Sequence, residues 1–211
     1  KSIFTNKNFK YNCKVRNMSF RIEEKLLINK YQLSEFKEYL ISKGAYKIFK
    51  TRKINNLYFD NDKFEMFNDS IEGCLPRKKI RLRSYEDDKN FLEIKISSTE
   101  GRYKTSNQID LNKTDNMKKL GFFDKDYGSC KPVLYVEYTR DYFKYRDIRV
   151  TIDNDINYFT KYRKFLGIDK NQIIELKASF KKDLNELMRD FPFPRSRFSK
   201  YTNGVEKLLE H

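Results

Sequence analysis

The stretch RKKIRLRSYEDDKNFLEIKIS, residues 77–97, decides the fold. Lys79, Arg81 and Arg83 stand at every second position with Ile80 and Leu82 between them, and Glu93 and Lys95 repeat the pattern among Leu92, Ile94 and Ile96. Successive side chains of a strand point to opposite faces, so this spacing sorts charges onto one face and aliphatics onto the other. The polar Glu86-Asp87-Asp88-Lys89 segment between the two runs predicts a hairpin of strands over 77–86 and 90–98. What remains to be found is what the charged face looks at.

The same signature recurs along the chain. Arg21, Glu23 and Lys25 share a face opposite Ile22 and Leu26; Arg102 and Lys104 share one, as do Tyr138 and Arg140. Arg149, Thr151 and Asp153 alternate with Val150 and Ile152, and Glu175, Lys177 and Ser179 with Ile174, Leu176 and Ala178. One-sided antiparallel sheets with a solvated face produce such alternation. Against that reading, Arg81, Arg83, Arg140 and Arg149 put several permanent cations on one surface, where they repel one another unless anions intervene. Closed with the charged face inward, about eight such strands make a tunnel with room for one slender ligand, the aliphatic face being covered outside by helices. So charged an interior needs counter-charge, which a polyanion with a metal supplies.

The remaining segments fit an α+β domain. Strands are expected over 19–29, 54–60, 102–111, 132–144, 147–153, 158–163 and 172–179. Leu33, Phe36, Tyr39 and Leu40 predict a helix over 32–43 that stops at Gly44. Short helices are expected near 62–68 and 113–120, and two more over 181–189 and 195–209, separated by Phe191-Pro192-Phe193-Pro194. The order lacks the β-α-β-α alternation of a parallel sheet, so the sheet is expected to be antiparallel. Residues 1–18 are polar, basic and aperiodic, an expected irregular lead-in to a single domain over 19–208, and Leu209-Glu210-His211 resembles the start of an expression tag.

Composition narrows the chemistry. The chain has 211 residues, 45 Lys and Arg against 30 Asp and Glu, and a formal charge of +15, which calls for an anionic partner. A mean hydropathy of -0.85 leaves no membrane span, and three well-separated cysteines suggest neither disulfides nor a zinc site, so a cytoplasmic location is expected. The single histidine is His211, which excludes Ser-His-Asp and Cys-His hydrolysis and histidine-ligated metals from this chain.

An ordered set of motifs carries a resemblance. Arg21-x-Glu23-x-Lys25, Leu57-Tyr58-Phe59-Asp60-Asn61, Arg81-Leu82-Arg83-Ser84-Tyr85, Leu92-Glu93-Ile94-Lys95, Tyr138-Thr139-Arg140, residues 148–153, Glu175-Leu176-Lys177 and Phe198-Ser199-Lys200-Tyr201 resemble the VTC domain. This is the polyphosphate polymerase domain of the vacuolar transporter chaperone family, within the triphosphate tunnel metalloenzyme (CYTH-like) superfamily. The resemblance spans about residues 19–208 and rests on the ordered set rather than any one motif. It implies an antiparallel eight-stranded β-barrel tunnel with helices packed outside, ATP-dependent polyphosphate synthesis, Mn²⁺ or Mg²⁺, and a membrane-protein partner.

By matching position, the resemblance implies that Lys25, Arg81, Arg83, Lys95, Lys104, Arg140, Arg149 and Lys200 contact phosphates. Tyr138, Ser199 and Lys177 would assist, and Glu175 would hold the metal, with Glu23 and Asp153 as further candidate ligands. The wider superfamily's hydrolases and cyclases carry E-x-E-x-K on the first strand; here Arg21 replaces the first Glu, which weakens a hydrolase reading. Phosphoryl transfer to a chain whose terminal phosphate is already deprotonated needs no histidine base. In this scheme Arg81, Arg83, Lys95 and Arg140 clamp the triphosphate while Lys25, Arg149 and Lys200 guide the acceptor.

Plainer roles exist for each residue: Glu175, Glu23 and Glu93 as partners of arginines, Asp153 as a turn cap, Tyr138 as core, and Arg195, Arg197 and Lys200 as a solvated helix face. Rival functions are a triphosphatase or nucleotidyl cyclase on the same tunnel and a non-catalytic binder of polyphosphate or inositol phosphates. Specific nucleic-acid binding lacks a recognisable signature.

Overall fold

The computed structural model describes residues 21–86, 89–179, 183–191 and 193–211. The expected lead-in over 1–18, the centre of the 86–89 turn and the start of the 181–189 helix lie outside the described residues. The elements run β1 (Arg21–Asn29), α1 (Gln32–Ser42), β2 (Tyr46–Asp60), α2 (Glu65–Glu72), β3 (Arg77–Tyr85), β4 (Asn90–Ser98), β5 (Gly101–Ile109) and α3 (Leu111–Leu120). The chain continues through β6 (Phe122–Asp124), β7 (Gly128–Tyr145), β8 (Ile148–Thr160), β9 (Phe165–Ile168), β10 (Asn171–Ser179), α4 (Leu184–Arg189) and α5 (Lys200–Leu209).

All strand pairings are antiparallel, and the main path is β1-β10-β8-β7-β2-β3-β4-β5, with β6 beside β7 and β9 beside β8. The α+β class and tunnel-type sheet are as expected, but the closed eight-stranded barrel is corrected: β1 and β5 are not hydrogen-bonded to each other. The reason is local. The outer edge of β1 is occupied by residues 194–196, with Ser196 N donating to Lys25 O at 2.9 Å, Leu27 N to Pro194 O at 3.4 Å, and an antiparallel bridge between Leu26 and Arg195. Side chains span the seam instead, Arg102 Nη1 lying 3.6 Å from Glu23 Oε2.

That strap also corrects the expected 195–209 helix, which begins only at Lys200, where the Ser199 hydroxyl accepts from Thr202 N at 3.3 Å. Residues 158–163 form no separate strand; the first three of them extend β8 to Thr160. The short β6 and β9 had no sequence signal of their own, and β2 begins eight residues before the expected 54.

Two apolar clusters lie outside the charged face. Leu26, Ile28, Ile148, Val150, Ile152, Ile174 and Leu176 pack under Phe36 and Leu40 of α1 and under Phe191. Ile80, Leu82 and Leu92 join Met66 of α2, Met117 of α3, and Tyr201 and Val205 of α5. The alternation of 77–97 therefore does sort aliphatics toward the helices. Gly204 lets α5 sit close: a Cβ there would fall 2.5 Å from Leu134 Cδ1 and 2.8 Å from Tyr158 Cδ1. Asp60 ties α2 and α5 to the end of β2, accepting from Met66 N at 3.1 Å, Phe67 N at 3.0 Å and the Tyr201 hydroxyl at 2.5 Å.

Candidate active site

The opposite, charged face of the sheet is organised around two carboxylates. The alternation in β3 and β4 places Arg81 opposite Glu93. Arg81 Nε and Nη2 reach Glu93 Oε2 at 2.9 and 2.6 Å, and its Nη1 donates to the Tyr58 hydroxyl at 2.9 Å. Arg83 Nη1 lies 3.4 Å from Glu93 Oε1, while its Nε donates to Asn56 Oδ1 and its Nη2 to the Tyr138 hydroxyl, both at 3.1 Å. Lys104 on β5 adds a third cation, 2.5 Å from Glu93 Oε1. Burial alone would raise the Glu93 carboxyl, but Arg81, Arg83 and Lys104 together hold it well below the usual carboxylate range.

The second hub is Asp153, 1 % exposed. Arg140 grips both its oxygens, Nε to Oδ1 at 2.5 Å and Nη2 to Oδ2 at 2.7 Å, and Lys200 Nζ reaches Oδ2 at 2.5 Å. Against the effect of burial, Arg140 and Lys200 bring the carboxyl down to about 2. The phenol of Tyr138 lies under both cations, Lys200 Nζ at 4.7 Å and Arg140 Cζ at 5.3 Å from its ring centroid. Burial opposes ionisation of that phenol, yet Arg140 and Arg83 shift it below the ordinary tyrosine value.

Glu175 and Glu23 stand beside this hub, where the Lys177 ammonium reaches both carboxylates. Lys177 Nζ lies 2.8 Å from Glu23 Oε1 and 3.4 Å from Glu175 Oε2, and Arg140 Nη2 lies 4.0 Å from Glu175 Oε2. Adjacent hard oxygen donors suit Mg²⁺ or Mn²⁺, which takes its other ligands from water and substrate phosphates. Asp153 fits such a role poorly, since both its oxygens are engaged by Arg140 and Lys200. Among the described residues, no group of three or more His, Cys, Asp and Glu side chains is arranged to hold a metal unaided.

At the end nearest α5, Lys25 Nζ donates to Phe198 O at 2.6 Å and Lys79 Nζ to the Ser199 hydroxyl at 2.8 Å. Burial, then the charges of Lys25, Arg77, Arg102 and Arg81, push Lys79 down to about 7. Burial and the neighbouring Arg81 bring Lys95 to about 7 as well. Lys95 and Arg149 make no hydrogen bond or ion pair among the described residues, and the Arg149 Nε is buried without a partner. Cations on this face thus outnumber Glu23, Glu93, Asp153 and Glu175, and among the described residues Lys95 and Arg149 form no ion pair.

The structure brings together Lys25, Arg81, Arg83, Lys95, Lys104, Arg140, Lys200, Tyr138, Ser199, Lys177, Glu23, Asp153 and Glu175 along one face. Arg149 stands apart from the two hubs, opposite Lys177 in the register of β8 and β10. Sequence reasoning missed Lys79 as a site residue, although its place in the 79, 81, 83 alternation carried the signal. Tyr58, which braces Arg81, stood within the matching motif at 57–61 without a role of its own, and Asn56, which braces Arg83, carried no comparable signal.

Comparison with known proteins gives this chain a family and a fold. The family model "VTC domain" matches residues 20–209. No curated protein matches the chain. Among solved structures, a Bacillus halodurans protein described as a candidate adenylate cyclase superposes with a TM-score of 0.62 at 16% identity, covering 86% of this chain and 94% of that chain. A Hippeastrum candidate adenylyl cyclase with a dominant triphosphatase activity gives a TM-score of 0.62 at 16% identity, covering 89% and 96%. A Pyrococcus horikoshii protein gives 0.59 at 16% identity, covering 89% and 99%. These neighbours have the triphosphate tunnel, or CYTH-like, fold, and at such identities the likeness is one of fold.

Proposed function

This chain belongs to the VTC domain family, and from that membership we propose that it is a metal-dependent polyphosphate polymerase that moves the γ-phosphoryl group of ATP onto a growing polyphosphate chain. The observation that supports the reading is the surplus of enclosed cations: among the described residues Lys95 and Arg149 make no ion pair, and Lys79 is bound only to a hydroxyl. A row of phosphates supplies the missing charge along the whole face.

Arg81 and Arg83, braced by Glu93, Tyr58, Asn56 and Tyr138, hold guanidinium groups in fixed orientation for the triphosphate, so little ordering is left for the moment of reaction. Arg140, oriented by Asp153, and Lys95 complete the clamp. Lys25, Lys79, Ser199 and Lys200 gather at the α5 end, where they guide the acceptor. The terminal oxygen of the acceptor attacks the γ-phosphorus, the bond from that phosphorus to the β,γ-bridging oxygen breaks, and ADP leaves. Glu175 and Glu23 are the residues for Mg²⁺ or Mn²⁺, which when bound neutralises charge on phosphate oxygens.

A triphosphatase is the second reading, favoured by Glu23 and Glu175, which share Lys177 and offer carboxylates for orienting water. No helix among the described residues is long and apolar enough to cross a membrane, and a membrane partner remains part of the proposal. The test incubates the protein with ATP and Mn²⁺ or Mg²⁺ and follows polymer and free phosphate together. Polymer from the wild type, lost in Arg83→Ala and Glu175→Gln, is expected; phosphate without polymer would establish the hydrolase instead.

A further inference from the structure

We infer that the open rim of the tunnel carries a nucleobase platform built from Phe49, Arg52, Tyr85 and Tyr142, which makes a nucleoside triphosphate, rather than a bare polyphosphate, the preferred donor. The inference rests on the reading of the charged face as a triphosphate site and adds the part of the substrate that phosphate contacts cannot recognise.

The first eight residues of β2 project past the rim. Pairing with β3 begins only at Ile54 opposite Tyr85, whereas pairing with β7 runs on from Arg52 opposite Arg140 to Tyr46 opposite Lys144. Two register shifts flank Phe49, one between Lys47 and Phe49 and one between Phe49 and Arg52. Bulges of this kind re-aim side chains and recur beside active sites.

Their result is a cluster around one guanidinium. Arg52 Cζ lies 4.9 Å from the Phe49 ring centroid, 5.5 Å from that of Tyr142 and 6.0 Å from that of Tyr85. Phe49 and Tyr142 meet edge to face at 5.5 Å. Arg52 has no carboxylate partner among the described residues, and Phe49 is 48% exposed, so flat surfaces stay open to solvent.

Arg52 shares a cross-strand position with Arg140, one of the proposed phosphate clamps, and Tyr142 has both Arg140 and Tyr138 as charged or ionisable neighbours. The platform therefore begins where the proposed phosphate site ends. At the other end Tyr201 stacks on Tyr58 and spends its hydroxyl on Asp60, so that ring is already covered. Bases stack on aromatic and guanidinium planes whatever their edge pattern, so the platform selects for a base without dictating which one.

Binding of β,γ-imido-ATP and of inorganic tripolyphosphate is measured by calorimetry in Mg²⁺ buffer for the wild type, Arg52→Ala and Phe49→Leu. Loss of one stacking contact is expected to weaken the nucleotide about tenfold in each variant, with tripolyphosphate affinity unchanged, which also certifies the fold. Equal weakening of both ligands, or no weakening of the nucleotide, overturns the platform while leaving the triphosphate site standing. Absence of tripolyphosphate binding to the wild type overturns the platform and the triphosphate reading together. Failure to make polymer, with the nucleotide-specific loss intact, would sink only the polymerase.

Discussion

Lys79 shows how much a single position can hold. It sits in the stretch whose alternation reveals the strand, yet nothing in that pattern marks it as more buried than Arg77 or closer to Lys25 and Arg102. Those neighbours come from distant parts of the chain, and only the folded arrangement makes its charge expensive. Because its folded value of about 7 lies below the ordinary lysine value of 10.5, the empty protein should gain stability as pH rises through that interval. A bound polyanion reverses the preference by favouring the ammonium form, so tripolyphosphate binding above pH 7 should take up a proton at Lys79. Replacing it with Met should flatten the fall in affinity between pH 7 and pH 9 by up to about tenfold per pH unit; the ligand's own titration is common to both proteins and cancels. Superimposable calorimetric profiles would rule this out. Glu93 makes the opposite case: among the described residues it is the carboxylate paired with Arg81, Arg83 and Lys104, and Glu93→Gln should cost about 3–5 kcal/mol in urea denaturation by leaving buried cations uncompensated.

At the scale of elements, helix α5 links the apolar exterior to the charged face. Its start was placed too early by sequence reasoning because residues 194–196 pair with β1, a contact between chain segments far apart that no local period encodes. Its interior Gly204 is the point of closest approach to Leu134 and Tyr158. Gly204→Ala should therefore fail to give the stabilisation that alanine brings to an exposed helix position, and should instead cost about 1–3 kcal/mol by overpacking. Since Ser199 and Lys200 begin the same helix, the displacement should also reduce triphosphate affinity. Thermal melts beside binding titrations check both effects, with the exposed Glu206→Ala as control. A Gly204→Ala protein as stable as the wild type would show that the helix is not wedged against β7 and β8.

For the whole molecule, the alternating charges foretold the tunnel-type sheet but not its open seam, because edge pairing depends on which segment reaches β1 first. The open seam has a physical consequence. Arg102 and Glu23 meet across it at 3.6 Å in a pair that is half in solvent, so mutual repulsion among the enclosed cations is opposed there by a contact worth little. A polyanion along the charged face would remove that repulsion and stabilise the folded state by mass action. At a tripolyphosphate concentration about 100 times its Kd, the gain is about 2.7 kcal/mol. For a chain of this size that corresponds to a rise in melting temperature of about 5–10 °C. Sodium chloride of equal ionic strength should give a smaller rise, because screening is weak for enclosed charges and no site is filled. Arg83→Ala should lose most of the tripolyphosphate effect while keeping the salt effect, since it deletes a phosphate clamp without changing the bulk solvent. Equal shifts from the two additives would mean that the cations respond to ionic strength alone, and the charged face would then be an ordinary solvated surface.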